Sequence, residues 1–116
     1  MGRVFRKGTG RVVIVALDHG RRHGPIPGIE NLRVTVSKIV EADIDAVMVT
    51  PGMLRHVYEE VIGRVGVVAR IDGTGTTKGP DHTDDRLISS VDTAVKMGAD
   101  AVSIMVYIGC EREADQ

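Results

Sequence analysis

Four polar side chains follow four apolar runs of the chain, and they are the residues best placed to do chemistry. They are Asp18, Thr50, Asp72 and Tyr107, each at the end of a β-branched run of about strand length. When parallel strands share one sheet or barrel, their carboxyl ends meet at one edge, and ligands bind over that edge. The sequence therefore predicts a functional site where these four residues come together.

Asp18 is the strongest catalytic candidate. A carboxylate that closes an apolar strand can move a proton to or from a reacting group, although aspartate in such a position also caps turns and helices. His19, the next residue, is either a catalyst or a hydrogen-bonding loop residue. Arg21 and Arg22 follow, and their guanidinium groups either bind an anion such as phosphate or remain solvated loop charges.

A glycine-rich loop, DGTGTTKGP, follows the third apolar run at residues 72–80. It matches neither nucleotide-binding fingerprint: G-x-G-x-x-G requires glycine where Lys78 stands, and a P-loop requires Ser or Thr after Gly-Lys. Nucleotide binding is therefore disfavoured. The loop is either a flexible active-site loop or a plain connector. The nearby His and Asp residues do not predict a metal site.

Periodic apolar residues predict the elements that position these groups. Strands are predicted at residues 11–17, 46–49, 67–71 and 101–106, and helices at residues 29–43, 54–63 and 88–97. Eighteen Val and ten Ile against four Leu favour strands that are buried on both faces, as in parallel sheets. The alternation of strand and helix predicts an α/β fold with right-handed crossovers between parallel strands.

Length, charge and cysteine content exclude several classes of protein. The 116 residues form one domain, 1–116, which is shorter than the roughly 200 residues of the smallest complete eight-fold barrels. The net charge of -1 gives no support to nucleic-acid binding. No apolar run approaches the roughly 20 residues that span a bilayer, and a single cysteine excludes an internal disulfide. We expect a cytoplasmic protein with neither nucleic acid nor membrane as a partner.

The segment VALDHGRRHGP at residues 15–25 resembles the archaeal-type class I fructose-bisphosphate aldolases and the related 2-amino-3,7-dideoxy-D-threo-hept-6-ulosonate synthases of aromatic amino-acid biosynthesis. The resemblance continues through residues 28–31, 46–55 and 90–102. It implies that the chain is the first half, about four βα units, of a (β/α)8 TIM barrel. It also implies cleavage or formation of a carbon–carbon bond through a lysine Schiff base, with no metal or other cofactor.

The same resemblance implies roles for particular residues. Asp18 takes the family's proton-transfer position, and the loop that contacts phosphorylated substrate falls on His19, Gly20, Arg21 and Arg22. The family's Schiff-base lysine belongs to the sixth strand and its acid tyrosine to the fifth, so neither lies in these four units. Tyr107 closes the predicted fourth strand and does not inherit that role.

The resulting functional prediction is a class I aldolase acting on a phosphorylated sugar. The first candidate is fructose-bisphosphate aldolase, an enzyme of glycolysis and gluconeogenesis. We expect this amino-terminal half to be inactive alone. The alternatives are the heptulosonate synthase, or a non-catalytic half-barrel that binds phosphorylated ligands or a partner chain. Open edges at strands one and four predict either a homo-oligomer or association with a carboxyl-terminal half.

Overall fold

A four-stranded parallel sheet, in the order β1-β2-β3-β4, forms the centre of the molecule. The computed structural model describes residues 3–5 and 8–116. The strands are β1 (Ile14–Ala16), β2 (Ala46–Val49), β3 (Gly66–Arg70) and β4 (Ala101–Ser103). Strands β2, β3 and β4 each pair with the strand before them in the chain, through the residue pairs Ile14–Ala46, Ala46–Gly66 and Val68–Ala101. The predicted α/β class and parallel strands are confirmed.

The helices connect successive strands. They are α1 (Gly20–His23), α2 (Leu32–Ile39), α3 (Pro51–Val61) and α4 (Val91–Lys96), with a 3₁₀ turn at Glu113–Asp115. Side chains of Asn31, Thr50 and Ser90 accept hydrogen bonds from backbone N–H groups in the first turns of α2, α3 and α4. These caps satisfy amide groups that have no partner within the helix. They explain where the three connecting helices begin.

The main apolar core lies between the sheet and helices α2 and α3. Alternate residues of β2 and β3 face it, because successive side chains of a strand point to opposite faces. Val47, Val49 and Val67 are fully buried there against Val57 and Val61 of α3. The opposite face of the sheet is covered near its amino edge by Val4, which packs on Ala46 and Val68.

Several predicted boundaries were wrong, although each predicted strand exists. β1 covers three residues rather than 11–17, and β4 ends at Ser103 rather than at residue 106. Tyr107 therefore lies beyond the strand that it was predicted to close. The helix predicted at 29–43 is confined to Leu32–Ile39, because the residues before it form turns. The four-residue helix α1 was not predicted, since its sequence GRRH contains no apolar residue.

Candidate active site at the carboxyl edge

Asp18 lies two residues beyond β1, at the carboxyl edge of the sheet. The N–H of Leu17 donates to the carbonyl of Met48 at 2.9 Å, so pairing with β2 continues up to the residue before Asp18. The Asp18 residue is only 6% exposed. Its Oδ2 accepts a hydrogen bond from Nη1 of Arg70 at 3.1 Å. The candidate catalytic carboxylate is thus a buried group that has a cationic partner.

Arg70, the last residue of β3, connects three carboxylates. Its Nε donates to Asp72 at 2.7 Å, its Nη1 to Asp18, and its Nη2 to Asp85 at 3.0 Å. Burial lowers the pKa of the Arg70 guanidinium, but the hydrogen bond to Asp72 and the charges of Asp72, Asp18 and Asp85 outweigh burial and raise that pKa above its usual value. Arg70 is therefore a permanent cation between the carboxyl ends of β1 and β3.

Asp85 is the most enclosed carboxylate of the site, with a side chain that is 0% exposed. Its Oδ1 accepts from Nη1 of Arg21 at 3.1 Å and from the backbone N–H groups of Thr74 at 3.1 Å and Gly75 at 2.9 Å. Burial raises the pKa of Asp85, but the Gly75 N–H and the arginines Arg21 and Arg22 outweigh it and lower that pKa below its usual value. The environment favours the charged carboxylate.

Arg21 and Arg22 both turn from α1 toward Asp85. Nη2 of Arg22 lies 2.9 Å from Asp85 Oδ2, and Nη2 of Arg21 lies 3.5 Å from the same oxygen. Arg22 also donates to the Tyr107 hydroxyl, and its guanidinium carbon lies 5.3 Å from the centroid of the Tyr107 ring. These two predicted substrate-binding residues contact an internal carboxylate in this structure, and Arg22 also holds Tyr107 beside the site.

The glycine-rich loop fits closely around the arginines. Gly73 has a φ of 138°, a conformation that side chains rarely adopt, and a Cβ there would overlap the Arg21 side chain. At Gly75 a Cβ would overlap the backbone carbonyl of His82. The loop then returns to the sheet, where Asp72 pairs with Leu87 in an antiparallel bridge. The two glycines therefore allow the backbone N–H groups to approach Asp85.

The arginine–aspartate cluster consists of Asp18, Arg21, Arg22, Arg70, Asp72 and Asp85, and it contains three cations and three carboxylates. Asp72 also accepts from the Met105 N–H at 2.6 Å, which ties the segment after β4 to the same edge. A cleft of about 240 Å³, lined in part by Asp72, Asp85 and Met105, opens beside the cluster. Mutual neutralisation makes it possible to bury so many charges together.

Other candidate residues lie outside this cluster. His19 is exposed, and Gly20 begins α1. Thr50 caps α3 through a bond from the Met53 N–H, so its hydroxyl has a structural role. His19 and His23 are four residues apart, a spacing that suits two helical metal ligands. Among residues 3–5 and 8–116, however, no group of three His, Cys, Asp or Glu side chains could hold a metal ion.

The sequence interpretation missed Arg70 and Asp85. An arginine inside the apolar run VVARI was a usable signal, because a charged residue in a buried strand requires a partner. Arg70 lies two residues after Val68, so both side chains are on the same face of the strand, opposite the main core. No comparable signal marked Asp85, which is one of three aspartates in residues 81–85 and is selected by the path of the loop.

The chain also matches a known sequence family. The profile described as DeoC/LacD family aldolase matches residues 12–116. The chain belongs to the DeoC/LacD family of aldolases. Its four βα units correspond to half of a TIM barrel, as the comparison with solved structures shows. In the described residues no helix has the length and apolar character needed to cross a membrane.

Two curated relatives of this DeoC/LacD chain are each 35% identical over 106 residues. One is the 2-amino-3,7-dideoxy-D-threo-hept-6-ulosonate synthase of Halobacterium salinarum, and the other is the 2-amino-4,5-dihydroxy-6-oxo-7-(phosphonooxy)heptanoate synthase of Streptomyces griseus. The matches cover 91% of this chain but 39% and 38% of those proteins. The chain thus spans well under half the length of these relatives.

Solved structures of archaeal and Schiff-base-forming fructose-1,6-bisphosphate aldolases have the same fold. One, with its catalytic lysine bound to the carbinolamine intermediate of the substrate, is 27% identical and superposes with a TM-score of 0.79. Another, from a study of reaction intermediates of the Schiff-base enzyme, is 28% identical with a TM-score of 0.83. Both matches cover 97% of this chain and 45% of the solved chain.

Proposed function

We propose that this chain supplies the first four βα units of a class I aldolase that acts on a phosphorylated sugar through a lysine Schiff base. The observation that carries the proposal is the buried Asp18 carboxylate at the carboxyl end of β1, held by Arg70 in a member of an aldolase family. The carboxyl edge is where barrels of this kind carry their active sites.

In the proposed reaction, Asp18 accepts and returns a proton. A lysine amine replaces the carbonyl oxygen of the substrate, which leaves as water, and the resulting iminium group withdraws the electron pair of the carbon–carbon bond that breaks. The hydroxyl group on the far carbon of that bond loses its proton to Asp18, and that carbon becomes an aldehyde. Asp18 then returns the proton to the carbon that kept the electron pair, which lies next to the iminium carbon. In residues 3–5 and 8–116, Lys38 and Lys96 lie in α2 and α4 and Lys78 lies in a turn, so none of these lysines stands at the carboxyl end of a strand. The proposed source of the lysine is therefore a strand beyond these four.

The proposed substrate is fructose 1,6-bisphosphate, with its phosphate contacted by the segment His19, Gly20, Arg21 and Arg22. The fold shared with fructose-1,6-bisphosphate aldolases at 27% and 28% identity supports this choice. Two adjacent guanidinium groups also match the hydrogen-bonding geometry of a phosphate.

A second candidate is a heptulosonate synthase that also forms a carbon–carbon bond. The 35% identity to the heptulosonate synthase of H. salinarum favours it. The proposed roles of Asp18 and of the two arginines are the same for both candidates, so the choice between them is one of substrate.

We also propose that further βα units cover the outer edges of β1 and β4. Exposed apolar side chains are concentrated after β4, at Ile104, Met105, Val106 and Ile108, and β4 ends the sheet. A carboxyl-terminal half of the same protein is the first candidate for this cover, and a second copy of the chain is the other. A half-barrel without the lysine would bind phosphorylated ligands or a partner without turnover.

Intact mass spectrometry of the protein expressed from its native gene tests these proposals together. Borohydride is added with and without fructose 1,6-bisphosphate, because reduction converts an iminium to a stable amine. A chain at least about twice 12.5 kDa with a substrate-dependent adduct is expected. A longer chain without an adduct from this sugar would favour the synthase. A 12.5 kDa chain without an adduct would leave the non-catalytic half-barrel.

A further inference from the structure

We propose that Asp85 occupies a phosphate-binding site as an internal substitute, and that a phosphate ester displaces it. The site is formed by the guanidinium groups of Arg21, Arg22 and Arg70 together with the backbone N–H groups of residues 74 and 75. The inference rests on the proposed function, in which Arg21 and Arg22 contact a phosphorylated substrate. It adds the competing carboxylate and the glycine-rich loop to that interaction.

The number of donors around Asp85 exceeds what a carboxylate can use. Oδ1 receives Nη1 of Arg21 and the N–H groups of Thr74 and Gly75. Oδ2 faces Nη2 of Arg22, of Arg70 and of Arg21, together with the Tyr107 hydroxyl at 3.5 Å. The two oxygens of a carboxylate have about four lone-pair directions. A phosphate group has three terminal oxygens and can satisfy this ring of donors more completely.

An unpartnered donor gives independent support. Nε of Arg21 is buried without a hydrogen-bond partner, although the Arg21 side chain is only 10% exposed. A buried donor without an acceptor is costly, so its presence indicates that an acceptor is missing. An anion with more oxygens than a carboxylate can supply that acceptor.

The arrangement of charges explains why displacement, rather than simple addition, is required. Within the described residues, Asp18 and Asp72 form ion pairs with Arg70 alone, whereas Asp85 contacts Arg21 and Arg22 as well. Because three cations already face three carboxylates, a phosphate added without loss of Asp85 would leave a larger excess of buried negative charge than a phosphate that replaces it. When Asp85 departs, the N–H groups of Thr74 and Gly75 pass to the phosphate. The end of the loop at residue 85 is then no longer held by its ion pairs with the arginines.

Asp85→Asn in the full protein tests the competition. The amide removes the charge with little change of shape, so we expect calorimetry to show inorganic phosphate binding about tenfold tighter or more, because the binding-competent fraction rises when the internal competitor is lost. Asp72→Asn makes the same charge change in the same cluster, and Asp84→Asn makes it on a neighbouring residue. Equal affinity in Asp85→Asn and wild type, or an equal gain in Asp72→Asn, would overturn the proposal.

A measurement on the wild-type protein keeps the proposal testable if the variant does not fold. Lys78 lies in the exposed part of the loop, so trypsin cleavage after it reports release of the loop. We expect phosphate to accelerate this cleavage several-fold relative to chloride at equal ionic strength, because loss of the Asp85 contacts increases the population of an open state of residues 76–85 that trypsin can cleave. An unchanged rate would refute displacement. The aldolase proposal is judged separately, by the borohydride adduct.

Discussion

The main core and the arginine–aspartate cluster are both largely buried but are stabilised in different ways. Val47, Val57 and Val67 are 0% exposed, and Arg70 and Asp85 are 6% and 2% exposed. Apolar packing is non-directional, so the core depends mainly on volume. The buried charges depend on the presence of every partner, because one missing group leaves an uncompensated ion. The difference indicates that the cluster, rather than the core, serves a function. Burying its charges costs desolvation free energy, and the cluster lies at the sheet edge where chemistry is expected.

The largest effect is expected from Asp18→Asn in the complete protein. Loss of the proton acceptor should lower turnover by about 10²- to 10⁴-fold, with substrate binding largely retained. Steady-state kinetics with fructose 1,6-bisphosphate measures both. Asp72→Asn is the matched control, since it also removes a carboxylate that pairs with Arg70. Equal losses of turnover in the two variants would show that the charge of the cluster, not proton transfer by Asp18, is what matters.

Arg70→Met should destabilise the fold more than any core truncation of similar size. It leaves three buried carboxylates without their common cation, and removing one partner of a buried pair costs about 3 to 5 kcal/mol. Urea unfolding followed by circular dichroism gives the free energy. Arg70→Lys retains the charge but not the planar fork, so its loss should lie between those of wild type and Arg70→Met. A neutral effect of Arg70→Met would mean that the cluster is not buried as described.

Leu54→Ala provides the corresponding change in the apolar core. Leu54 is 1% exposed, and its truncation should cost about 2 to 4 kcal/mol through lost transfer energy and a residual cavity. The same urea experiment measures the cost. Because Leu54 lies outside the charged cluster, the phosphate affinity of the folded variant should equal that of wild type. A large change in phosphate affinity would show that the two regions are coupled.

The smallest effect concerns acid stability. The folded-state pKa of Asp85 lies below its usual value of about 3.9. Between those two values the unfolded chain binds more protons than the folded one, so stability falls as the pH drops through that interval. Asp85 faces Arg21 and Arg22 from α1, Arg70 from β3, and Tyr107. Urea midpoints at pH 5 and pH 3 should therefore differ less in Asp85→Asn than in wild type, with Asp84→Asn as the control.

Strand identity could be predicted because the β-branched runs were unambiguous, whereas boundaries could not. β4 ends at Ser103 since Met105 turns its N–H toward Asp72 instead of continuing the sheet, and that contact joins residues far apart in sequence. Asp18, Arg21, Arg22 and Asp72 were identified from their positions after predicted strands. The two residues that join them, Arg70 and Asp85, were not identified. Arg70 left a signal in its apolar strand, whereas Asp85 reaches the cluster through the folding of a loop, which local patterns do not encode.

The sequential order of the sheet has a consequence for biosynthesis. Every strand hydrogen-bonds to the one synthesised just before it, as the pairs Ile14–Ala46, Ala46–Gly66 and Val68–Ala101 show. A nascent chain leaving the ribosome therefore never has to wait for a distant segment before its next strand can pair. Each new strand can therefore join the sheet as soon as it has been synthesised, so the sheet can grow stepwise from the amino terminus. Translation itself can therefore set the order in which this sheet assembles.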